Sequence, residues 1–172
     1  MKNVLFILLV SFVFTNRTSA QFSSATVGIN GLTCSLCQKG VEKEIRHLSF
    51  VQDVNIDLEK TTAQITFKPG SDVSIDDIAK KIESAGFTVR SLVASYTFNH
   101  FVADERTQFK YGNATFEFVK VNKQELNGSV PIKFIGENYM TKKDYSSYKP
   151  LVEVNATPQF PSKEKSFYFV TE

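Results

Sequence analysis

Tryptophan is absent from this 172-residue sequence, and cysteine and histidine occur only twice each. The sequence has no paired carboxylates suited to acid–base work, no Ser-His-Asp arrangement, no phosphate-binding glycine loop and no set of three ligands for a catalytic metal. We therefore do not expect an enzyme. The sequence also contains no low-complexity segment and no internal repeat.

An excess of charge of either sign is also missing. When residues 1–20 are set aside, as explained below, Lys2 and Arg17 go with them, and the remaining basic residues equal the 18 acidic residues in number. Lysine and arginine are interspersed with aspartate and glutamate along the rest of the chain. This pattern lacks the basic patch of a nucleic-acid-binding protein, so no nucleic acid partner is expected.

A long hydrophobic run occurs only at the start. Met1 and Lys2 precede an apolar stretch from Val4 to Phe14, and small residues follow at Ser19 and Ala20. This order is typical of a secretory signal peptide. The stretch is much shorter than the roughly 20 residues that a membrane-spanning helix needs. Residues 1–20 are therefore predicted to be a cleaved signal peptide, with a retained tether as the alternative, and the mature protein is expected to be periplasmic or secreted without a membrane anchor.

Residues 23–92 show apolar periodicity that switches between two and about 3.6 residues. Alternating apolar residues predict strands around Val27, Ile56, Ile65 and Val89. Two helices are predicted between them from the apolar sets Leu36, Val41, Ile45 and Leu48, and Ile75, Ile78, Ala79 and Ile82. Ser74 and Asp77 form a capping box for the second helix, and Gly86 is placed to end it. The order predicts an α+β fold, a ferredoxin-like βαββαβ domain.

Residues 95–172 differ in composition, since all six tyrosines and nine of the sixteen phenylalanines lie beyond Leu92. Short aromatic or β-branched runs predict a small, mainly-β domain with strands near Ser95–Val102, Ala114–Val121, Val130–Ile135, Leu151–Val154 and Ser166–Val170. Asn127-Gly128 is expected to connect the second and third of these strands, and residues 141–148 to form a short helix. Either an OB-like barrel or a sandwich fits this order.

Both cysteines lie in the segment Gly31-Leu32-Thr33-Cys34-Ser35-Leu36-Cys37, between the first strand and the first helix. Cys34 is expected in the loop and Cys37 in the opening turn of the helix, where backbone N–H groups and the helix dipole favour thiolates. Two unbridged thiolates without a third ligand suit Cu(I), whereas a structural zinc site has four ligands. The predicted metal ligands are therefore Cys34 and Cys37.

Residues 25–92 resemble the heavy-metal-associated domain family, which includes copper chaperones and the amino-terminal domains of copper-transporting ATPases. The family's Gly-Met-Thr-Cys-x-x-Cys loop matches residues 31–37 with Leu32 in place of Met, and further matches lie at 41–43, 51–58 and 83–87. The resemblance implies that Cys34 and Cys37 bind the metal, that Leu32 packs beneath the loop and that Phe87 lies near the site. It also implies a Cu(I) chaperone or scavenger, whose partner is a membrane metal transporter or another acceptor protein.

Three interpretations of the cysteine pair stay open. Metal capture is favoured, with Hg(II) and Zn(II) as alternatives to Cu(I) and a mercury scavenger as the alternative role. A thiol-disulfide oxidoreductase is the second, because an oxidising compartment can close the pair, although neither Trp nor Pro flanks the cysteines. An inert disulfide is the third, but a bridge between residues three apart closes almost no loop and contributes little stability. His47 is predicted to be a surface residue near a helix end, His100 to be structural and Met140 to have a role in the core or in a turn.

Overall fold

The computed structural model describes residues 21–155 and 165–171, so the predicted signal peptide lies outside the described residues. Eleven elements follow one another along this part of the chain. They are β1 (Phe22–Asn30), α1 (Ser35–Arg46), β2 (Val51–Asp57), β3 (Thr62–Phe67), α2 (Ile75–Ser84), β4 (Thr88–Ala103), β5 (Gln108–Tyr111), β6 (Ala114–Phe118), β7 (Gln124–Ile135), α3 (Lys142–Asn155) and β8 (Lys165–Thr171). None of the described helices combines the length and the apolar character needed to cross a bilayer.

The first six elements form the predicted ferredoxin-like unit. Their strands are antiparallel neighbours in the order β2-β3-β1-β4. Apolar residues on one face of this sheet are buried beneath α1 and α2, while Thr26 and Gln64 on the other face are exposed. Asp77 N donates to Ser74 Oγ at 3.3 Å, which confirms the predicted helix cap. The α+β prediction and the ferredoxin-like order are confirmed.

The sheet does not stop at the end of this unit. Strand β4 continues to Ala103, and β7 pairs with it antiparallel from Val93 onward. All eight strands form one sheet in the order β2-β3-β1-β4-β7-β8-β6-β5. The predicted boundary at residues 93–94 therefore lies inside a strand, and one hydrophobic core contains buried residues from both sides of it.

The sheet curls so that its carboxyl-terminal strands lie over β1 and β4. Strand β6 is four places from β1, or about 19 Å in a flat sheet. Yet the rings of Phe22 and Phe116 have centroids 5.7 Å apart, and those of Tyr96 and Phe109 are 4.7 Å apart. The predicted mainly-β character of the carboxyl-terminal region is confirmed. The sheet does not close into the predicted OB-like barrel, because among the described residues its outer strands, β2 and β5, have no backbone pairing with each other.

Two local predictions in the same region are also wrong. Residues 151–154 lie in α3 and not in a strand, because Tyr145, Tyr148 and Val152 recur at helical spacing and pack against a small apolar cluster around Met140. Asn127-Gly128 lies inside β7, where Gly128 has a φ of +80° beside an irregularity in the pairing with β4. A glycine in this left-handed conformation absorbs a bulge as readily as it forms a hairpin turn.

The remaining predictions for this region agree with the structure in part. The predicted strands at residues 95–102 and 166–170 lie within β4 and β8, and the predicted helix at 141–148 is the first part of α3. The strand expected at 114–121 ends at Phe118, and the one expected at 130–135 begins earlier, at Gln124. Strand β5 was not predicted, because its four residues are too few to establish a periodicity.

Candidate metal centre

The loop that carries both cysteines leaves the sheet at the end of β1. Gly31 has a φ of +78°, a conformation that residues with a side chain rarely adopt, and it turns the chain away from the strand. Leu32 follows with 0% of its surface exposed, so it anchors the loop in the core. Thr33 and Cys34 are exposed. The predicted packing of Leu32 beneath the loop is therefore confirmed.

Cys34 is the residue that caps α1. Its backbone is extended, with φ −126° and ψ 147°, and its Sγ accepts a hydrogen bond of 3.0 Å from Cys37 N. This is the geometry by which a cap side chain reaches the third residue of a helix. It brings the Cα atoms of Cys34 and Cys37 to 5.1 Å and turns both sulfurs to the same end of the helix.

The two cysteines are joined as a disulfide. The expectation of two unbridged thiols is wrong for this state of the protein, because the capping geometry that brings two ligands together also brings two sulfurs within bonding distance. The predicted role of Cys34 and Cys37 as metal ligands stays a prediction. It requires a two-electron reduction first, since a closed pair offers no thiolate to a metal.

Leu36 lies between the cysteines with 81% of its surface exposed. The prediction that it belongs to the buried face of α1 is wrong, although Val41 and Ile45 of that face are fully buried. At 3.6 residues per turn, a residue nine positions before Ile45 lies on the opposite side of the helix. The angular position of Leu36 therefore contained the signal, and an apolar side chain stands in solvent beside the sulfurs.

Phe87 flanks the loop from the neighbouring connection between α2 and β4. A Cβ atom built on Gly31 would lie 4.0 Å from Phe87 Cδ1, so the half-buried ring stands beside the start of the loop. This agrees with the position near the site that the family resemblance implied for Phe87.

No further metal ligand accompanies the cysteines in the described ranges, where three or more His, Cys, Asp or Glu side chains are nowhere grouped as a metal site would need. His47 caps the opposite end of α1. His100 Nδ1 lies 2.6 Å from Glu125 Oε1 on the far strands, and Met140 is buried. The predicted structural role of Met140 is confirmed, and His47 is too far along the helix to join the pair.

Ion pairs connect α1 to α2 and to β2. Lys81 of α2 donates to Glu44 at 3.0 Å, and its hydrogen bond and charge lower the pKa of that carboxyl. Arg46 contacts Glu42 and Asp53, which lowers the pKa of Asp53. These groups are exposed or only half-buried, so each pair contributes little stability by itself. All of these pairs lie in the carboxyl-terminal half of α1, away from its cysteine-bearing end.

Comparison with known proteins identifies this part of the chain. Residues 26–88 match the sequence model of the heavy-metal-associated domain. A probable copper-transporting ATPase of Arabidopsis thaliana, HMA5, is 43% identical over 65 residues, which cover 38% of this chain and 6% of that protein. A copper-transporting ATPase of Helicobacter felis is 36% identical over 85 residues, covering 49% of this chain and 10% of that protein.

Among solved structures, a copper-binding domain of the P-type ATPase HMA7 is 31% identical, with 40% of this chain and 90% of that domain covered at a TM-score of 0.37. The CopZ metallochaperone is 21% identical over 39% of this chain and 98% of its own, also at a TM-score of 0.37. The chain spans a tenth or less of the two ATPases named above. Residues 26–88 of this chain therefore belong to the heavy-metal-associated domain family and are homologous to segments of copper-transporting ATPases.

Proposed function

We propose that this protein is an exported, non-catalytic metal carrier that captures one Cu(I) ion between the reduced thiolates of Cys34 and Cys37. The observation that carries the proposal is the meeting of both sulfurs at the exposed, amino-terminal end of α1. Backbone N–H groups without helical partners favour negative charge there. The homology to copper-transporting ATPases supports copper as the metal.

The donor set favours a soft ion of low coordination number. Two thiolates suit Cu(I) or Hg(II), whereas a structural Zn(II) site is four-coordinate and would need two more ligands than the described residues near the loop supply. Zn(II) is therefore expected to bind weakly. Hg(II) is the competing candidate, and a mercury scavenger remains the alternative function.

The position of the loop supports transfer of the ion to an acceptor protein. Asn30, beside the loop, pairs with Thr88, whereas Phe22 at the other end of β1 pairs with Tyr96. The strands added after β4 join it from Val93 onward, at the end of the sheet away from the loop. The cysteines and the exposed Leu36 are thus left open to an approaching partner, whose own thiols would replace Cys34 and Cys37 one at a time by ligand exchange.

Export is supported by the pattern of residues 1–20, with a charged start, a short apolar stretch and small residues before position 21. The proposal concerns metal binding through residues 26–88 and not the transport activity of the much longer ATPases. Amino-terminal sequencing of the protein recovered from its host tests the export. A mature chain that begins at Gln21 is expected, and one that retains Met1 contradicts it.

Titration of the reduced protein with Cu(I) in competition with a colorimetric Cu(I) chelator tests the site. One equivalent is expected to bind to the parent, and none to Cys34→Ser or Cys37→Ser. Serine also caps helices well, so Cys34→Ser is expected to keep its far-UV circular dichroism. Ser35→Ala is the matched control, because it alters the same exposed turn without removing a sulfur.

Parallel titrations with Hg(II) and Zn(II) establish the preference. Binding of one Cu(I) by the variant that lacks both cysteines would refute the site. Stoichiometric Hg(II) binding together with failure to compete for Cu(I) would favour the mercury scavenger instead.

A further inference from the structure

The two halves of the disulfide differ in their surroundings. Cys34 lies in the loop and is exposed, whereas Cys37 lies in the first turn of α1, is half-buried and packs against the hydrophobic core. A thiol that attacks a disulfide approaches one sulfur along the S–S axis, from the side opposite the other sulfur. The surroundings therefore favour attack on Cys34 from solvent and hinder attack on Cys37 from the core side.

The surroundings of the two sulfurs also stabilise the thiolates that form when Cys37 and then Cys34 are released. Attack on Cys34 expels the sulfur of Cys37 as a thiolate within the first turn of α1, where the helix dipole favours negative charge. When Cys34 is later released, its sulfur can keep the 3.0 Å hydrogen bond from Cys37 N. Hydrogen bonds from backbone N–H groups to an anion are stronger than those to a neutral group.

We propose that this loop exchanges disulfides with a protein dithiol, that Cys34 is the sulfur attacked, and that the exchange decides whether the site can take up metal. This regulation rests on the proposed function. In the first step the partner's thiolate bonds to Cys34 and the Cys34–Cys37 bond breaks, which releases Cys37 as a thiolate. In the second step the partner's other thiolate attacks its own sulfur in the mixed disulfide and releases Cys34.

The electrons and atoms balance in this sequence. The partner's dithiol loses two electrons and becomes a disulfide, and Cys34 and Cys37 gain them and become the two thiolates of the metal site. The partner's two thiol protons go to solvent or to the released sulfurs. Leu36, exposed between the cysteines, offers the partner an apolar contact next to the sulfur that it attacks.

Trapping the mixed disulfide tests the proposal. The oxidised full-length protein is incubated with thioredoxin whose resolving cysteine has been replaced by serine, and the covalent complex is digested and sequenced by mass spectrometry. The mixed disulfide is expected on Cys34, and the same protein reduced and alkylated beforehand is expected to form none. A complex linked through Cys37, or no complex at all, overturns the proposal.

A second measurement compares the two thiols directly. The reduced single-cysteine variants Cys37→Ser and Cys34→Ser react with a chromogenic aromatic disulfide, and the variant that keeps Cys34 is expected to react several-fold faster. Equal rates, or a faster Cys37, contradict the assignment of Cys34 as the accessible sulfur.

Metal titration completes the test. The oxidised parent is expected to bind no Cu(I) and the thioredoxin-reduced parent one equivalent. Stoichiometric Cu(I) binding by the oxidised parent would overturn the proposal that reduction of the disulfide controls metal uptake. If the reduced parent binds no Cu(I) while the mixed disulfide still forms on Cys34, the proposed function fails and the exchange chemistry stands.

Discussion

Replacing Phe22 by alanine tests whether the two ends of the chain share one core. Phe22 begins β1 of the heavy-metal-associated unit, yet its ring contacts Tyr111, Phe116 and Phe134 of the carboxyl-terminal strands at centroid distances of 4.9, 5.7 and 6.2 Å. Only 2% of its surface is exposed. Truncation of a buried phenylalanine to alanine costs about 3–5 kcal/mol. In a protein of this size the melting temperature should fall by about 10 °C.

Two spectroscopic signals depend to different degrees on the two halves of the molecule. All six tyrosines lie at or beyond position 96 and tryptophan is absent, so tyrosine fluorescence comes from the carboxyl-terminal part of the chain, although Tyr111 and Tyr139 also contact residues 71–76. Far-UV circular dichroism reports on the helices of both halves, α1 and α2 in one and α3 in the other. In a urea titration both signals are expected to change at the same midpoint, and both midpoints should shift together in Phe22→Ala, because one sheet and one core join the halves.

Thr26→Ala serves as the control, since Thr26 lies on the exposed face of the same strand and such changes stay within about 0.5 kcal/mol. Phe22 is roughly 26 Å along β1 from the cysteine loop, so the folded variant should still bind one equivalent of Cu(I). A shift of the tyrosine transition alone, with the helical transition at its parental midpoint, would show that the halves unfold independently and that the shared-core reasoning is wrong.

Three further substitutions have defined outcomes. Gly40→Ala should stabilise the protein by about 0.5–1 kcal/mol in urea, because Gly40 lies within α1 and an added Cβ meets nothing within 4 Å; a loss of stability would contradict this. Tyr139→Phe should cost about 1–3 kcal/mol, since it removes the buried hydrogen bond that the hydroxyl donates to Asp76, and an unchanged urea midpoint would count against that estimate. Burial raises the pKa of Glu117 despite its hydrogen bond from Gln108, so ionisation destabilises the fold as the pH rises above the ordinary carboxyl value. The free energy of unfolding of Glu117→Gln, measured against that of the parent, should be more favourable at about pH 8 than at about pH 4. The same difference between the two proteins at both pH values would refute the reasoning.

Sequence periodicity predicted the elements whose formation depends on neighbouring residues. The cap at Ser74 and the buried face of α2 follow from spacings of three and four residues, and both are present. Leu151–Val154 was misassigned because a short β-branched run has the same composition in a buried helix face as in a strand. Its helical state depends on the packing of Val152 against a cluster that contains Val119, Ile135 and Met140. These residues lie 12 to 33 positions before Val152, so no local pattern indicates the contact.

The features of the candidate site also divide into those that could be predicted from the sequence and those that could not. The position of both cysteines at the start of a helix could be predicted from the local sequence, and the packing of Leu32 beneath the loop from the family resemblance. The closed state of the pair could not, because the same capping geometry serves a dithiol and a disulfide. The exposure of Leu36 was present in the sequence as an angle around the helix, but its apolar character suggested the core.

The sequence by itself determined the heavy-metal-associated unit, because its elements are set by short-range periodicity and the positions of its two cysteines by a loop of seven residues. Only the tertiary structure decided that β4 runs on through the predicted boundary and that the aromatic strands curl back over Phe22. Those contacts join residues up to about a hundred positions apart, and no local spacing encodes them. These contacts stabilise the fold by burying aromatic surface. Several strands could bury that surface equally well, so the pairing of strands is decided only in the assembled sheet.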